Sequence, residues 1–215
     1  MLKERLEFLR GPGGFRAAGY FGLKLLARIE AFHIVWTASQ PDTTITLPPG
    51  WRYVGLYTGE VLSGFSGDVI EQAAEQCGWK PERLLSRGGS LHLLLIDNSL
   101  AAQLSIEPGP FCRIDSPSLH LSMGEKDTFL SHLYTWPAFR RRGAAQRLIA
   151  ATGSGLSTRN VQRIVAHVRA TNVPSLAAFE HAGWKGKATI ICTLGGRLLL
   201  APGAAKAGLS FRSPG

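Results

Sequence analysis

The chain has 215 residues, 45% of them hydrophobic, a net charge of +9 and three cysteines, Cys77, Cys112 and Cys192. That length suits one large domain or a domain with an extension, and the apolar fraction suffices for a buried core. The cysteines are odd in number and far apart, with no zinc or redox spacing, which predicts reduced thiols in a cytoplasmic protein without a metal site. Glu4 and Glu7 interrupt the first residues, so a secretory leader is not expected.

Met1–Arg10 has the pattern of a short amphipathic helix, broken by Gly11-Pro12-Gly13-Gly14. Phe15–Ala38 reads as a long helix, with Arg16, Lys24 and Arg28 on one polar stripe and Phe21, Leu25, Leu26, Ile29, Phe32, Ile34 and Val35 on the rest. Its charges recur too often for a membrane span, which needs about 20 mostly apolar residues. Such a helix packs on the main domain or on a second copy in a homodimer; the alternative is peripheral contact with the inner membrane face through its basic stripe. Residues 1–45 are therefore read as an N-terminal helical extension, with Pro41–Gly50 as linker.

Residues 46–200 read as the main domain. Trp51–Tyr57 has the aromatic content of a strand. Helices are expected over Gly67–Cys77, capped by Ser66, and over Pro81–Ser86, with Pro81 at the first helical position. Leu91–Ile96 and Leu100–Ile106 form a hairpin through Asp97-Asn98-Ser99. Glu107–Pro117 reads as a loop, and Ser118–Ser122 as a further strand of the sheet. The strand Phe129–Thr135 leads into a turn and a helical pattern at Gln146–Ala151; the strand Arg163–Arg169 and a helix ending near Trp184 follow. Ala188–Leu194 and Arg197–Leu200 pair around Gly195-Gly196, and residues 201–215 read as a mobile tail. The order predicts an α/β (α+β mixed) domain around a central mixed sheet flanked by helices.

Charge singles out one region. Between Phe139 and Lys187 nine Lys/Arg face Glu180 alone, nearly the whole excess of +9. Such a field calls for an anionic partner. The basic residues are not interleaved with the aromatics that a single-strand nucleic-acid surface uses, so no specific nucleic-acid binding is expected. Small residues beside the arginines favour a phosphorylated cofactor instead. Gly143, Ala144 and Ala145 admit a pyrophosphate close to the backbone, where the N–H groups of Arg142, Gly143, Ala144 and Ala145 point out of a helix N-terminus. The side chains of Arg140, Arg141 and Arg142 add charge-assisted bonds.

Arg140-x-x-Gly143-x-Ala145 is similar to the Q/R-x-x-G-x-G/A signature of the GCN5-related N-acetyltransferases, the GNAT superfamily. Asn172-x-x-Ser175-x-x-x-Phe179-x-x-x-Gly183-Trp184 resembles that family's second motif, at the expected distance. The resemblance covers about Thr128 to Trp184. It implies a mostly antiparallel GNAT-like sheet and transfer of an acetyl or other acyl group from acyl-CoA, without a metal, to a primary amine by direct attack in a ternary complex. It further implies that backbone amides at Leu133, Tyr134 and Thr135 hold the thioester carbonyl, that Asn172 meets the pantetheine arm and that Ser175 faces the adenosine phosphate. Phe179, expected among the cofactor-binding residues, holds the place where the family usually has a Tyr acid, and Phe129 the place of the Glu base of the histone-acetylating branch. His132 and Tyr134 are the candidate catalytic groups, with Glu107, Glu125 and Asp127 nearby. Alternation along the strand puts His132 and Tyr134 on one side, opposite Phe129 and Ser131. The expected acceptor is a small amine or amino sugar. The alternatives are long-chain acyl transfer from acyl carrier protein and a non-catalytic acyl-CoA-binding protein.

Overall fold

In the computed structural model, residues 28–39, 45–58, 65–77, 80–115 and 118–212 are described. The elements are β1 (Ile29–Ala38), β2 (Trp51–Leu56), α1 (Gly67–Gln76), α2 (Pro81–Ser86), β3 (Ser90–Ile96), β4 (Ser99–Pro108), β5 (Phe111–Asp115), β6 (Ser118–Ser122), β7 (Asp127–Thr135), α3 (Ala144–Ser157), β8 (Arg163–Arg169), α4 (Val173–His181), β9 (Gly186–Thr193), β10 (Leu198–Leu200) and β11 (Ser210–Arg212). An eight-stranded sheet runs in the order β10-β9-β1-β8-β7-β4-β3-β2, and a three-stranded sheet in the order β11-β6-β5. All the pairs are antiparallel except β7 with β8.

Three apolar clusters lie against the large sheet. Leu94, Leu104, Ile106, Leu130, Ile164 and Ala166 meet α3 and α4 through Leu148, Ile149, Leu156 and Phe179. The opposite face is divided. Leu91, Leu93 and Leu95 pack under α1 and α2, through Val69, Ala73, Leu84 and Leu85. Phe32, Ile34, Phe129, Val165 and Ile190 pack under the small sheet, through Cys112, Ile114, Leu119 and Leu121. The sheet is thus covered on both sides, α3 and α4 on one and a helical cap beside a small sheet on the other.

Four sequence expectations are corrected. The long helix predicted over Phe15–Ala38 is a strand over Ile29–Ala38, inserted between β8 and β9. A strand buried on both faces loses its two-residue alternation and reads as an apolar run, which a helix also produces. Here Phe32 and Ile34 fill one cluster and Val35 the other, and the β-branched and aromatic content of the segment favours the extended form. Trp36 lies over Gly186 on the neighbouring strand, where a Cβ would collide with the indole. The helix expected over Met1–Arg10 and the first part of the long one lie outside the described residues. The Glu107–Pro117 segment is not a loop throughout: β4 continues to Pro108 and β5 begins at Phe111. Ser118–Ser122 joins the separate small sheet. The tail read as mobile from Ala201 folds back instead, burying Ala204 and Leu209 and pairing Ser210–Arg212 with His120–Ser122.

A buried polar group joins the first strands to α3. Tyr53 Oη and His92 Nδ1 lie 2.7 Å apart, and Ser90 Oγ and His92 Nε2 2.8 Å apart. Gly155 of α3 makes room for Tyr53 and Tyr57, whose hydroxyls would stand 3.0 and 3.3 Å from a Cβ there. Arg159 closes the group, its guanidinium 3.4 Å from the centre of the Tyr57 ring.

Candidate functional site

The site follows from how β7 leaves its neighbours. Its parallel pairing with β8 runs only from Asp127↔Arg163 to Leu130↔Ala166. Beyond Leu130 it continues alongside β4, so a gap opens on its β8 side. Against β4 the register is Ser105↔Ser131 but Gln103↔Tyr134, so His132 and Leu133 together oppose Leu104. This is a β-bulge, which kinks the strand and leaves part of its ladder unpaired. His132 takes the bulge conformation, with φ of 50°.

The bulge overturns the expected alternation. Gln103 and Ser105 both donate to Cys77 Sγ beneath α1, so they share a face. Their partners Tyr134 and Ser131 therefore share it too. Tyr134 meets Trp136 edge to face, at 5.1 Å between centroids, and Arg140 stands 5.8 Å from its ring centre. His132 is half-buried and outside the cleft lining.

Past Trp136 the chain makes a short helical turn at Pro137–Phe139, and Arg140 Nε donates to the Thr135 carbonyl at 3.1 Å. Gly143 then adopts φ of 76° as the N-cap of α3 and offers no side chain to the helix. The first N–H groups of α3 are left for a ligand or solvent. Arg147 reaches back over Gly143 to donate to the Arg142 carbonyl at 3.2 Å. The far wall is α4. Its cap is Asn172, whose Oδ1 accepts from the Ser175 amide at 3.2 Å, so those two motif residues bond each other. Gln146 Nε2 donates to the His181 carbonyl at 3.1 Å and ties the start of α3 to the end of α4.

These elements enclose a cleft of about 860 Å³, within the range of small-molecule sites. Of the residues expected from sequence, Leu133, Tyr134, Thr135, Arg140, Arg141, Gly143, Ala144, Ala145, Asn172 and Ser175 line it. Two do not. Arg142 is exposed, with its guanidinium 5.8 Å from the Phe139 ring centre. Phe179 is a core residue packed on Trp184 at 4.6 Å, because its place on α4 faces the sheet. Sequence reasoning passed over Pro137, Phe139, Gln146, Pro174, Ala177, Ala178 and His181, which also line the cleft. The last four recur at helical spacing along α4, a signal the sequence does carry.

The positive charge is less concentrated than it reads in sequence. Arg163 is held by Asp127 at the far end of β7, and Arg169 Nε lies 3.7 Å from buried Glu30. Arg140 and Arg141 remain in the cleft wall, with Arg147 beside Gly143. Burial raises the Cys77 thiol pKa, partly offset by its hydrogen bonds, and raises that of Cys112 strongly, helped by the Glu107 charge. Both thiols are therefore neutral and poor nucleophiles. No cluster of three metal-ligating side chains occurs among the described residues.

The features fit an anionic, phosphate-bearing ligand: a positive-φ glycine, helix N-terminal N–H groups and two arginines at one end of the cleft. Past the end of its pairing with β8, the β7 backbone walls the other end.

Residues 121–190 match the family model described as FR47-like protein. A comparison with curated proteins found no match. Among solved structures, the chain is similar to a protein described as an acetyltransferase of the GNAT family from Novosphingobium aromaticivorans, with 21% identity over 77% of this chain and 66% of that one and a TM-score of 0.48. A GCN5-related N-acetyltransferase from Kribbella flavida shares 15% identity over 89% of this chain and 67% of its own, with a TM-score of 0.46. AAC(6')-Iy, in complex with the bisubstrate analogue CoA-S-monomethyl-acetylneamine, shares 14% over 63% of this chain and 91% of its own, with a TM-score of 0.44. The chain thus spans about two thirds of the first two structures. The FR47-like match covers β7, α3, β8 and α4, the elements that build the cleft, and it contains both stretches that resemble the GNAT motifs, Arg140–Ala145 and Asn172–Trp184.

Proposed function

We propose that the protein is an N-acyltransferase that binds acetyl-CoA, or another acyl-CoA, in the cleft and passes the acyl group to a primary amine of a small acceptor, an amine or amino sugar, in a ternary complex. The observation that carries this reading is the cleft itself: the α3 N-terminus, with Gly143, Arg140 and Arg141, sits at the open end of a gap where β7 parts from β8. Acyl-CoA supplies the activated thioester.

The chain's own residues supply the rest. The amides of Ala144, Ala145 and Gln146, the first of α3, bind phosphate oxygens, and Arg140 and Arg141 neutralise their charge. Asn172, Pro174, Ala177 and Ala178 form the wall for the pantetheine arm. Backbone amides at Leu133–Thr135 stabilise charge that develops on the acyl oxygen; one such donor is worth roughly 10²–10³ in rate. Phe179 has no proton to give and is buried away from the cleft. Tyr134 lines the cleft and is the candidate donor to the departing sulfur.

The test is thiol release from acetyl-CoA across a panel of primary amines and amino sugars. Amine-dependent release supports the reading. Acetyl-CoA binding without release by any member of the panel leaves a binding protein and contradicts acyl transfer.

A further inference from the structure

The face of β7 away from α3 carries polar side chains that the cofactor cleft does not use. Glu107 of β4 is the cross-strand partner of Phe129, and Ser105 that of Ser131. Cross-strand partners share a face and alternate residues return to it, so Glu107, Phe129, Ser105 and Ser131 stand together. Ser131 Oγ donates to Glu107 Oε1 at 2.7 Å. Ser105 is fully buried under α1, bonded to Cys77. Glu107, two residues on, is half-buried, and its charge acts on Cys112 of β5. The carboxylate thus sits at the seam between the helical cap and the small sheet.

That seam adjoins the reacting end of the cleft. Ser131 is the first residue of β7 beyond its pairing with β8, and Leu133, two positions on, is already in the cleft wall. Even fully extended, two residues of chain span no more than about 7 Å, and the bulge at His132 shortens that span, so the two positions lie within the reach of a side chain or of one water. Tyr134, brought to this face by the bulge, spans both surroundings. Among the described residues its partners are a serine hydroxyl and a thiol kept neutral, neither of which carries a positive charge. A half-buried carboxylate so placed suits a cation.

We propose that Glu107 binds the ammonium group of the acceptor and takes its proton, and that Ser131 is a positioning residue that holds the carboxylate toward the β7 gap. This rests on the acyltransferase reading of the cleft. An N–H bond of R–NH₃⁺ breaks, its electron pair stays on nitrogen as the lone pair that attacks, and the proton passes to the free carboxylate oxygen directly or through one water. The carboxyl group then returns that proton to solvent. The acceptor class is a primary amine that arrives protonated and enters from the seam.

The test compares wild type, Glu107→Gln and Ser131→Ala by acetyl-CoA calorimetry and by thiol release with amines from about pH 6 to about pH 10. Gln still accepts from the Ser131 hydroxyl. Glu107→Gln should bind acetyl-CoA within about twofold of wild type, yet lose roughly 10²–10⁴-fold in kcat/KM for the amine at neutral pH. The deficit should shrink as pH approaches the amine's own pKa, because the amine then arrives unprotonated. Ser131→Ala should lose a smaller factor, about threefold to tenfold, with acetyl-CoA binding unchanged. Wild-type turnover by Glu107→Gln, or a loss equal at every pH, overturns the assignment while leaving acyl transfer standing. Loss of acetyl-CoA binding in Glu107→Gln also overturns it, by placing the residue on the donor. A wild-type protein that neither binds acetyl-CoA nor releases thiol sinks the acyltransferase reading, and this one with it. Glu107→Ala with added formate is the second variant: rescued turnover supports the assignment, and no rescue in a folded, acetyl-CoA-binding protein contradicts it.

Discussion

Arg147 lays its guanidinium over the α-carbon of Gly143, in the place a Cβ would take, while donating to the Arg142 carbonyl at 3.2 Å. The contact welds the turn before α3 to the first turn of that helix. It also makes position 143 doubly exclusive, since φ there is 76°, which costs an L-residue about 1–2 kcal/mol. Gly143→Ala should therefore lower stability by about that amount and weaken acetyl-CoA binding at least tenfold, because the displaced guanidinium moves into the phosphate end. Urea denaturation and calorimetry read the two effects separately.

The three successive arginines should not be equivalent. Arg140 and Arg141 line the cleft, whereas Arg142 lies over Phe139 outside it. Removing one charge-assisted bond costs about 1.5–3 kcal/mol, so Arg140→Ala should weaken acetyl-CoA binding by roughly tenfold to a hundredfold. It should also flatten the salt dependence of binding. Arg142→Ala should change the dissociation constant by less than about threefold. Calorimetry at low and high ionic strength distinguishes them.

How far this was legible in the sequence differs between the two halves of the molecule. The α3 end of the cleft is encoded in contiguous residues, so Gly143 after the arginines and Asn172 before α4 could be read from their own neighbours. The bulge at His132 could not. It exists only as a mismatch between β7 and β4, whose paired residues at the bulge lie far apart in sequence, and it is what moves Tyr134 to the Ser131 face. β1 was hidden for another reason: its burial on both faces erased the alternation that marks a strand. β11 was hidden because three residues carry no period, and only pairing with β6 fixes them.

The buried His92 gives stability a pH dependence. Desolvation, and to a lesser degree the charge of Arg159, lowers its pKa to about 3. The unfolded chain binds a proton near pH 6.5, and the folded chain does so only near the lower value. Stability from this group is therefore complete above about pH 6.5 and falls as the pH drops toward about 3, by up to about 1.4 kcal/mol per pH unit. Urea denaturation at about pH 7, 6 and 5 should show this slope. His92→Gln, which does not titrate, should be less stable at neutral pH yet show a shallower decline. A slope as steep as wild type in that variant would remove His92 from the account.

Two glycines of α3 should respond in opposite directions to alanine. Alanine normally stabilises a helix interior by about 0.5–1 kcal/mol. At Gly153 a Cβ would meet Ile164 Cδ1 at 3.9 Å, an ordinary contact, so Gly153→Ala should keep that gain. At Gly155 it would press on the hydroxyls of Tyr53 and Tyr57, and Tyr53 is fixed by His92. Gly155→Ala should therefore destabilise by about 1–3 kcal/mol, as overpacking does. Thermal denaturation of the pair tests the buried group that anchors α3 behind the cleft.

The central claim, that the cleft at the α3 N-terminus holds an acyl-CoA, is tested most directly by thermal denaturation with and without acetyl-CoA. At about a hundredfold excess over the dissociation constant, binding adds about 2.7 kcal/mol. For a chain of this size that corresponds to a rise in Tm of roughly 5–10 °C. The account predicts this rise for wild type and a rise of about half that size or less in Gly143→Ala at the same ligand concentration, and no wild-type shift at millimolar acetyl-CoA would contradict it.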